Sequence, residues 1–163
     1  MGLDIIAISR IKKVNEEESE LSINGLYKFN RIAGLDPGNY DRTDESIEHH
    51  FRAGSYGTYN SFRNILAHAI YGAPASAIWE NNDAYEGRPF FEIIEFSDCD
   101  GCFGPEVSEK LYNDFITHRK SLIKYCIDKF ISDDETYEWV MGTYDNFIKA
   151  FEISKDRGLL QFC

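Results

Sequence analysis

The densest set of chemically capable side chains runs from His49 to Arg63, as His-His-Phe-Arg-Ala-Gly-Ser-Tyr-Gly-Thr-Tyr-Asn-Ser-Phe-Arg. Guanidinium groups at Arg52 and Arg63 match the fork geometry of a phosphate or carboxylate. Tyr56 and Tyr59 offer faces on which a base or ring could stack. Ser55, flanked by Gly54 and Gly57, stands where a loop would enter a helix and leave backbone N–H groups and a positive dipole end open to an anion. His49 and His50 add imidazoles that can exchange protons near neutral pH. A plainer account of the same residues has Ser55 or Thr58 capping a helix and the arginines pairing with nearby carboxylates.

A second constellation is Ser97-Asp-Cys-Asp-Gly-Cys-Phe-Gly-Pro-Glu106. Asp98, Asp100 and Glu106 supply hard oxygen atoms, but their spacing does not follow a calcium loop. Cys99 and Cys102 could be half of a zinc site completed by His49 or His50, yet the sequence has no second Cys pair. They also resemble a dithiol at a helix start, without the βαβ pattern that accompanies redox motifs. An Asp-Gly turn explains the aspartates with no ligand at all. The two segments are expected to face each other across one pocket, with Ser97, Asp98, Asp100 and Glu106 opposite the cationic and aromatic groups. No cofactor and no metal is assigned.

The elements that must position these groups follow from periodicity. Leu3–Ser9 is an apolar, β-branched run and reads as a buried strand. Leu21–Asn30 alternates and reads as a second strand, with a bulge or close approach at Gly25. Gly34–Asp44 is rich in turn residues and reads as a loop, as does Asn81–Arg88. Thr58–Tyr71 carries Phe62, Leu66, Ala69 and Ile70 at helical spacing and closes on Gly72. Pro89–Phe96 suits a short buried helix or a strand. Pro105 sits at a first helical position, and Val107, Leu111, Phe115, His118, Leu122 and Tyr125 then repeat every three or four residues to about Phe130. Ser132 and Glu135 spell a capping box for a last helix, whose stripe is Tyr137, Val140, Tyr144, Phe147, Ile148 and Phe151. His118 lies on an apolar stripe and reads as a core histidine; Trp79 and Trp139 read as packing residues. The apolar tail Leu159–Cys163 docks on the body. The expected fold is α+β: a small antiparallel sheet from N-terminal strands packed against three to four helices, with 1–163 as a single globular domain.

Composition bounds the function. With 28 acidic and 17 basic residues the net charge is −11, which opposes general nucleic-acid binding and attraction to anionic lipid. No stretch has the apolar length of a membrane span, and the N-terminus lacks the basic region of a signal peptide. The expected setting is cytoplasmic, with the cysteines as thiols. The surplus of aromatics, 15% of the chain, is compatible with homo-oligomerisation.

Two stretches, Phe51–Arg63 and Pro89–Ser108, together with the opening Met-Gly-Leu-Asp, resemble a family of uncharacterised bacterial and phage proteins with no established activity. The resemblance covers about a third of the chain and implies a cytoplasmic setting, the host cytoplasm for a phage-encoded chain. For a phage-encoded chain, that context rather than the residues points to counter-defence as a role, such as sequestering a nucleotide immune signal. From the residues themselves, the leading expectation is a binding protein for a small anionic, nucleotide-like ligand, because recognition groups are many and no nucleophile elbow or metalloprotease helix appears. The alternatives are a hydrolase or lyase using His49 or His50 with Asp98 as an acid–base pair, and an acidic inhibitor that meets a basic protein partner.

Overall fold

In the computed structural model, residues 2–15, 18–23, 28–96 and 101–163 are described. Strand β1 (Leu3–Ile8) is the organising element, and it buries Leu3, Ile5 and Ala7 completely on one side. It is flanked on both edges by antiparallel partners. Strand β5 (Glu48–Gly54) pairs with it on one edge, in the register Ile5↔Phe51, Ile6↔His50 and Ala7↔His49. On the other edge it pairs with β7 (Leu159–Phe162), the chain's tail, in the register Ile5↔Phe162 and Ala7↔Leu160. Strand β6 (Gly101–Phe103) completes the order β5-β1-β7-β6. A second sheet of three short strands, β2 (Lys12–Val14), β3 (Leu21–Ile23) and β4 (Gly38–Asp41), has the order β2-β4-β3.

The helices are α1 (Tyr56–Tyr71), α2 (Ala75–Trp79), α3 (Asn82–Tyr85), α4 (Phe91–Glu95), α5 (Pro105–Lys129) and α6 (Asp134–Ser154). The fold is α+β, with two antiparallel sheets and helices against the larger one. Among the described residues no helix is long and apolar enough to cross a membrane.

One side of the four-stranded sheet meets the long helices. Its core is an aromatic stack: Phe62 of α1 lies parallel to Phe147 of α6 at 5.5 Å, and Phe115 of α5 lies 4.4 Å from Tyr144 and 5.5 Å from Phe151. Such pairs add to the burial of their area. The buried Tyr144 hydroxyl donates to the Phe115 carbonyl at 2.5 Å, so its polar tip is satisfied inside the core. On the other side a smaller apolar cluster, Ile8, Cys102 and Leu159 against Leu21, Ile23, Ile32 and Tyr40, joins the small sheet to the large one. Gly158 is required where the chain enters β7. A Cβ there would lie 1.9 Å from the Ile8 carbonyl oxygen, which any side chain would have to displace.

Several local expectations change. The sheet is not built from N-terminal strands alone, because β5, β6 and the tail strand β7 all belong to it. Of Leu21–Asn30 only Leu21–Ile23 is extended; Lys28–Asn30 forms a 3-10 turn, and 24–27, including Gly25, lie outside the described residues. Gly34–Asp44 contains β4, and Asn81–Arg88 contains the short α3. Helix α1 begins two residues early, because Ser55 Oγ accepts from the Thr58 N–H at 3.1 Å; it ends as expected at Gly72, which is left-handed at φ 64°. Helix α4 settles the ambiguity of Pro89–Phe96. The cap of α6 is Asp133, not Ser132: Asp133 Oδ1 accepts from the Thr136 N–H at 2.9 Å. Aspartate is as good a cap as serine, and this hydrogen bond holds the Asp133 carboxyl below its ordinary range.

Candidate functional site

Alternation along β5 separates the two histidines. His49 shares the helix-facing parity of Phe51 and Ala53, and its Nε2 lies 3.1 Å from Asn146 Oδ1 of α6. Its ring stacks on Phe51 at 5.6 Å. Burial lowers the His49 pKa from its ordinary 6.5; Lys149 and His50 push it the same way, while the bond to Asn146 opposes them. His50 lies on the opposite side, with Nε2 2.8 Å from Glu48 Oε2. Glu48 also accepts from Arg42, which is held in turn by Glu20 at 2.9 Å. Arg52 is exposed on the same outer side, its guanidinium so close over Gly2 that a Cβ there would sit 2.0 Å from Nη2.

The residues at the start of α1 turn inward. Ser55 caps the helix, and its hydroxyl is also 2.8 Å from that of Thr58. Tyr56 packs half-buried against the core. Tyr59 is fully buried beside Phe147 and Phe162, with its hydroxyl 3.4 Å from the Ile93 carbonyl. Arg63 is 5% exposed, and its Nη1 donates to the Ile94 and Phe96 carbonyls at 3.1 and 2.8 Å. Its Nη2 reaches Asn60 Oδ1, and its charge sits 5.1 Å from the Tyr59 ring and 5.2 Å from the Trp79 ring. The indole N–H of Trp79 donates to the same Ile94 carbonyl at 2.8 Å.

Arg63 and Tyr59 therefore bring α1 against the segment that leads into Ser97, through backbone carbonyls. Ser97, Asp98 and Asp100, with Cys99, lie outside the described residues. Glu106 is exposed in the first turn of α5, where its backbone N–H donates to the Ala33 carbonyl at 3.1 Å. Cys102 is buried, which pushes its thiol up to about 11 and keeps it protonated at neutral pH. Among the described residues no group of three His, Cys, Asp or Glu is placed to hold a metal ion.

A sizeable cleft lies elsewhere. It has a volume of about 640 Å³ and lies between Arg10–Lys13, which leads into β2, the turn Thr43–Glu45, and Arg157. Two chain reversals build it, one leaving β1 and one entering β7, and they clamp each other. The Arg10 N–H donates to the Asp156 carbonyl at 2.8 Å, and the Ile11 N–H donates to the Arg157 carbonyl at 3.1 Å. Arg10 and Arg157 are both left-handed, at φ 53° and 51°, a conformation that costs any residue with a Cβ energy and that tertiary contacts must impose. Thr43 Oγ1 fixes the first reversal by donating to the Arg10 carbonyl at 2.9 Å.

The charges of the cleft are uneven. Arg10 Nε donates to Asp156 Oδ2 at 2.7 Å, which raises the arginine pKa and lowers that of the aspartate. Asp156 also takes a longer bond, 3.4 Å, from Arg157 Nε. Lys13 is 3.7 Å from Asp36, while Lys12 makes no ion pair among the described residues. Four cations thus line the cleft together with Asp44 and Glu45, with Glu45 3.7 Å from Arg10 and Asp156 paired to Arg10 as well. The sequence holds one signal of this site: Arg10-Ile-Lys-Lys13 is the only place where three Lys or Arg fall within four residues. Arg157, at the other end of the chain, carries no such mark.

Scans against family models, curated proteins and solved structures each return no match.

Proposed function

We propose that the protein binds a small anionic ligand, with the anionic group held in the cleft between Arg10–Lys13 and Arg157. The observation that carries this reading is the convergence of four of the chain's 17 Lys and Arg residues on one cleft, in a molecule of net charge −11. Elsewhere the acidic surface repels anions; here four cations side by side set up a local field of opposite sign. Guanidinium forks suit phosphate or carboxylate oxygens, and Lys12 supplies a charge not already neutralised. The volume is within the usual range of small-molecule sites.

Recognition on this reading is of the anion more than of a base. The rings of Tyr56 and Tyr59 belong to the core packing, and the cleft walls are cationic, acidic and aliphatic. A polyphosphate and a nucleoside triphosphate should then bind comparably. Calorimetric titration with tripolyphosphate and with ATP tests this, with chromatography of recovered ATP to separate binding from turnover. Both ligands should bind, ATP should be recovered intact, and Lys12→Met with Arg157→Met should weaken both by at least about tenfold, the loss expected when two charge contacts to the anion are removed. Failure of either ligand to bind at millimolar concentration, or binding that the double variant leaves unchanged, would sink the reading.

A further inference from the structure

The geometry points to a second copy of this chain as the partner of strand β5, joined antiparallel so that the four-stranded sheet continues across a two-fold axis at His50. Among the described residues no strand pairs with the outer edge of β5. That edge is seven residues long, and open edges of this kind are templates for another chain.

The backbone dictates which residues would bond. On β1, Asp4 exchanges both hydrogen bonds with Cys163, so even-numbered residues of β1 serve β7. Odd-numbered ones, Ile5, Ala7 and Ser9, serve Phe51, His49 and Ile47, as the Ser9 N–H to Ile47 carbonyl bond of 2.9 Å confirms for the last. By the alternation of an antiparallel ladder, the N–H and C=O groups of Glu48, His50 and Arg52 therefore point outward. A second β5 must meet them with its own Glu48, His50 and Arg52.

The side chains then choose the register. With His50 opposite its symmetry mate, Glu48 of each copy faces Arg52 of the other, twice. A shift of two residues either way sets Arg52 against His50 or Ser46 and leaves this charge match unmade. Arg52 is exposed and makes no ion pair among the described residues, so it is available for the crossing pair. On the helix side the same register sets His49 against Phe51 and lays Ile47, 55% exposed in the single chain, beside Ala53. Both sides of the strand are thus self-complementary in one register, as an isologous interface requires.

Sedimentation velocity from low to high micromolar concentration, with circular dichroism and thermal melting of each variant, tests the pairing. The wild-type chain should dimerise. His50→Pro should be monomeric yet folded, because the N–H it removes points away from β1 and an edge tolerates proline. Arg52→Glu and Glu48→Arg should each weaken the dimer by at least about tenfold, and the double swap should restore it. The Arg42–Glu48 pair stays broken in the double swap, so recovery can come only from the crossing pair. A wild-type chain that stays monomeric at every concentration overturns the proposal. So does a dimer indifferent to Arg52→Glu, or single-swap losses that the double swap fails to recover. If His50→Pro does not fold, the swap series decides alone.

Discussion

The two sides of the four-stranded sheet are built on opposite terms. Toward α1, α5 and α6, β1 presents Leu3, Ile5 and Ala7 with no exposed surface, and the facing aromatics interlock at 4.4 to 5.5 Å. Away from the helices, the same strands present Asp4, His50 and Arg52 to solvent, and the small sheet covers only the part around Ile8, Leu159 and Cys102. The polar contacts differ likewise. On the helix side Arg63 is enclosed by carbonyls and rings; on the other, Arg10 and Arg157 meet carboxylates at the rim of an open cleft. Stability is thus concentrated on one side, and charged groups gather on the other. The cationic cleft belongs to that second region, while the open edge of β5 borders both.

The sharpest way to break this contrast is to cut holes in both regions. Phe147 touches Phe51, Tyr59, Phe62, Phe115 and Phe151, so Phe147→Ala should cost about 4 kcal/mol, the range for a buried phenylalanine. Ile6 on the outer side is only half-buried, and Ile6→Ala should cost about 1 kcal/mol, in line with partial loss of its buried area. Urea unfolding midpoints at constant slope give both values. Comparable losses at the two positions would show that the outer side contributes as much to stability as the inner.

The arginines give the next contrast. Arg63→Met keeps much of the packing but leaves the Phe96 carbonyl without its donor, while the Ile94 carbonyl keeps the Trp79 indole, and it should cost about 2 kcal/mol, the expected penalty for one buried acceptor left unpaired. Arg157 is 72% exposed in its side chain, and Arg157→Met should change stability by less than about 0.5 kcal/mol, as surface substitutions do. Its effect belongs to anion affinity. If the order is reversed, with Arg63 mattering to ligand binding and little to folding, the cleft is not the binding region.

The same division explains what the sequence discloses. Helices α1, α5 and α6 are legible because Leu111, Phe115 and Leu122, or Val140, Phe147 and Phe151, recur at a period that neighbours alone can establish. The cap of α6 shifts by one residue because Asp133 competes with Ser132 for the same role, and local pattern does not rank them. Strand β5 resists reading: His-His-Phe-Arg has the composition of a functional loop, and its strand geometry comes from β1, forty or more residues away. Arg63 resembles a ligand-gripping group until carbonyls 31 and 33 residues further on enclose it. The cleft is half-visible, since Arg10–Lys13 is a local cluster, whereas Arg157 joins it only through the clamp between two reversals. Positions fixed by local periodicity are readable; those fixed by long-range strand pairing are not.

The smallest expected effect separates neighbours on one strand. His49 faces the helices, and burial lowers its pKa from 6.5, so the folded state favours the neutral ring. The sign follows from proton counting: as pH falls below 6.5 the unfolded chain takes up a proton that folded His49 resists, and stability decreases. Above 6.5 the contribution is complete and flat. Melting temperature measured from about pH 7.5 downward should therefore fall partly through His49, with a slope no steeper than one proton allows. His49→Gln can keep a hydrogen bond to Asn146 while removing the titration, so the variant should lose less stability than wild type between about pH 6.5 and about pH 5. Identical pH dependence of the two proteins would mean that His49 is hydrated in solution, and that the helix-facing side of β5 is more open than its packing against Phe51 and Asn146 implies.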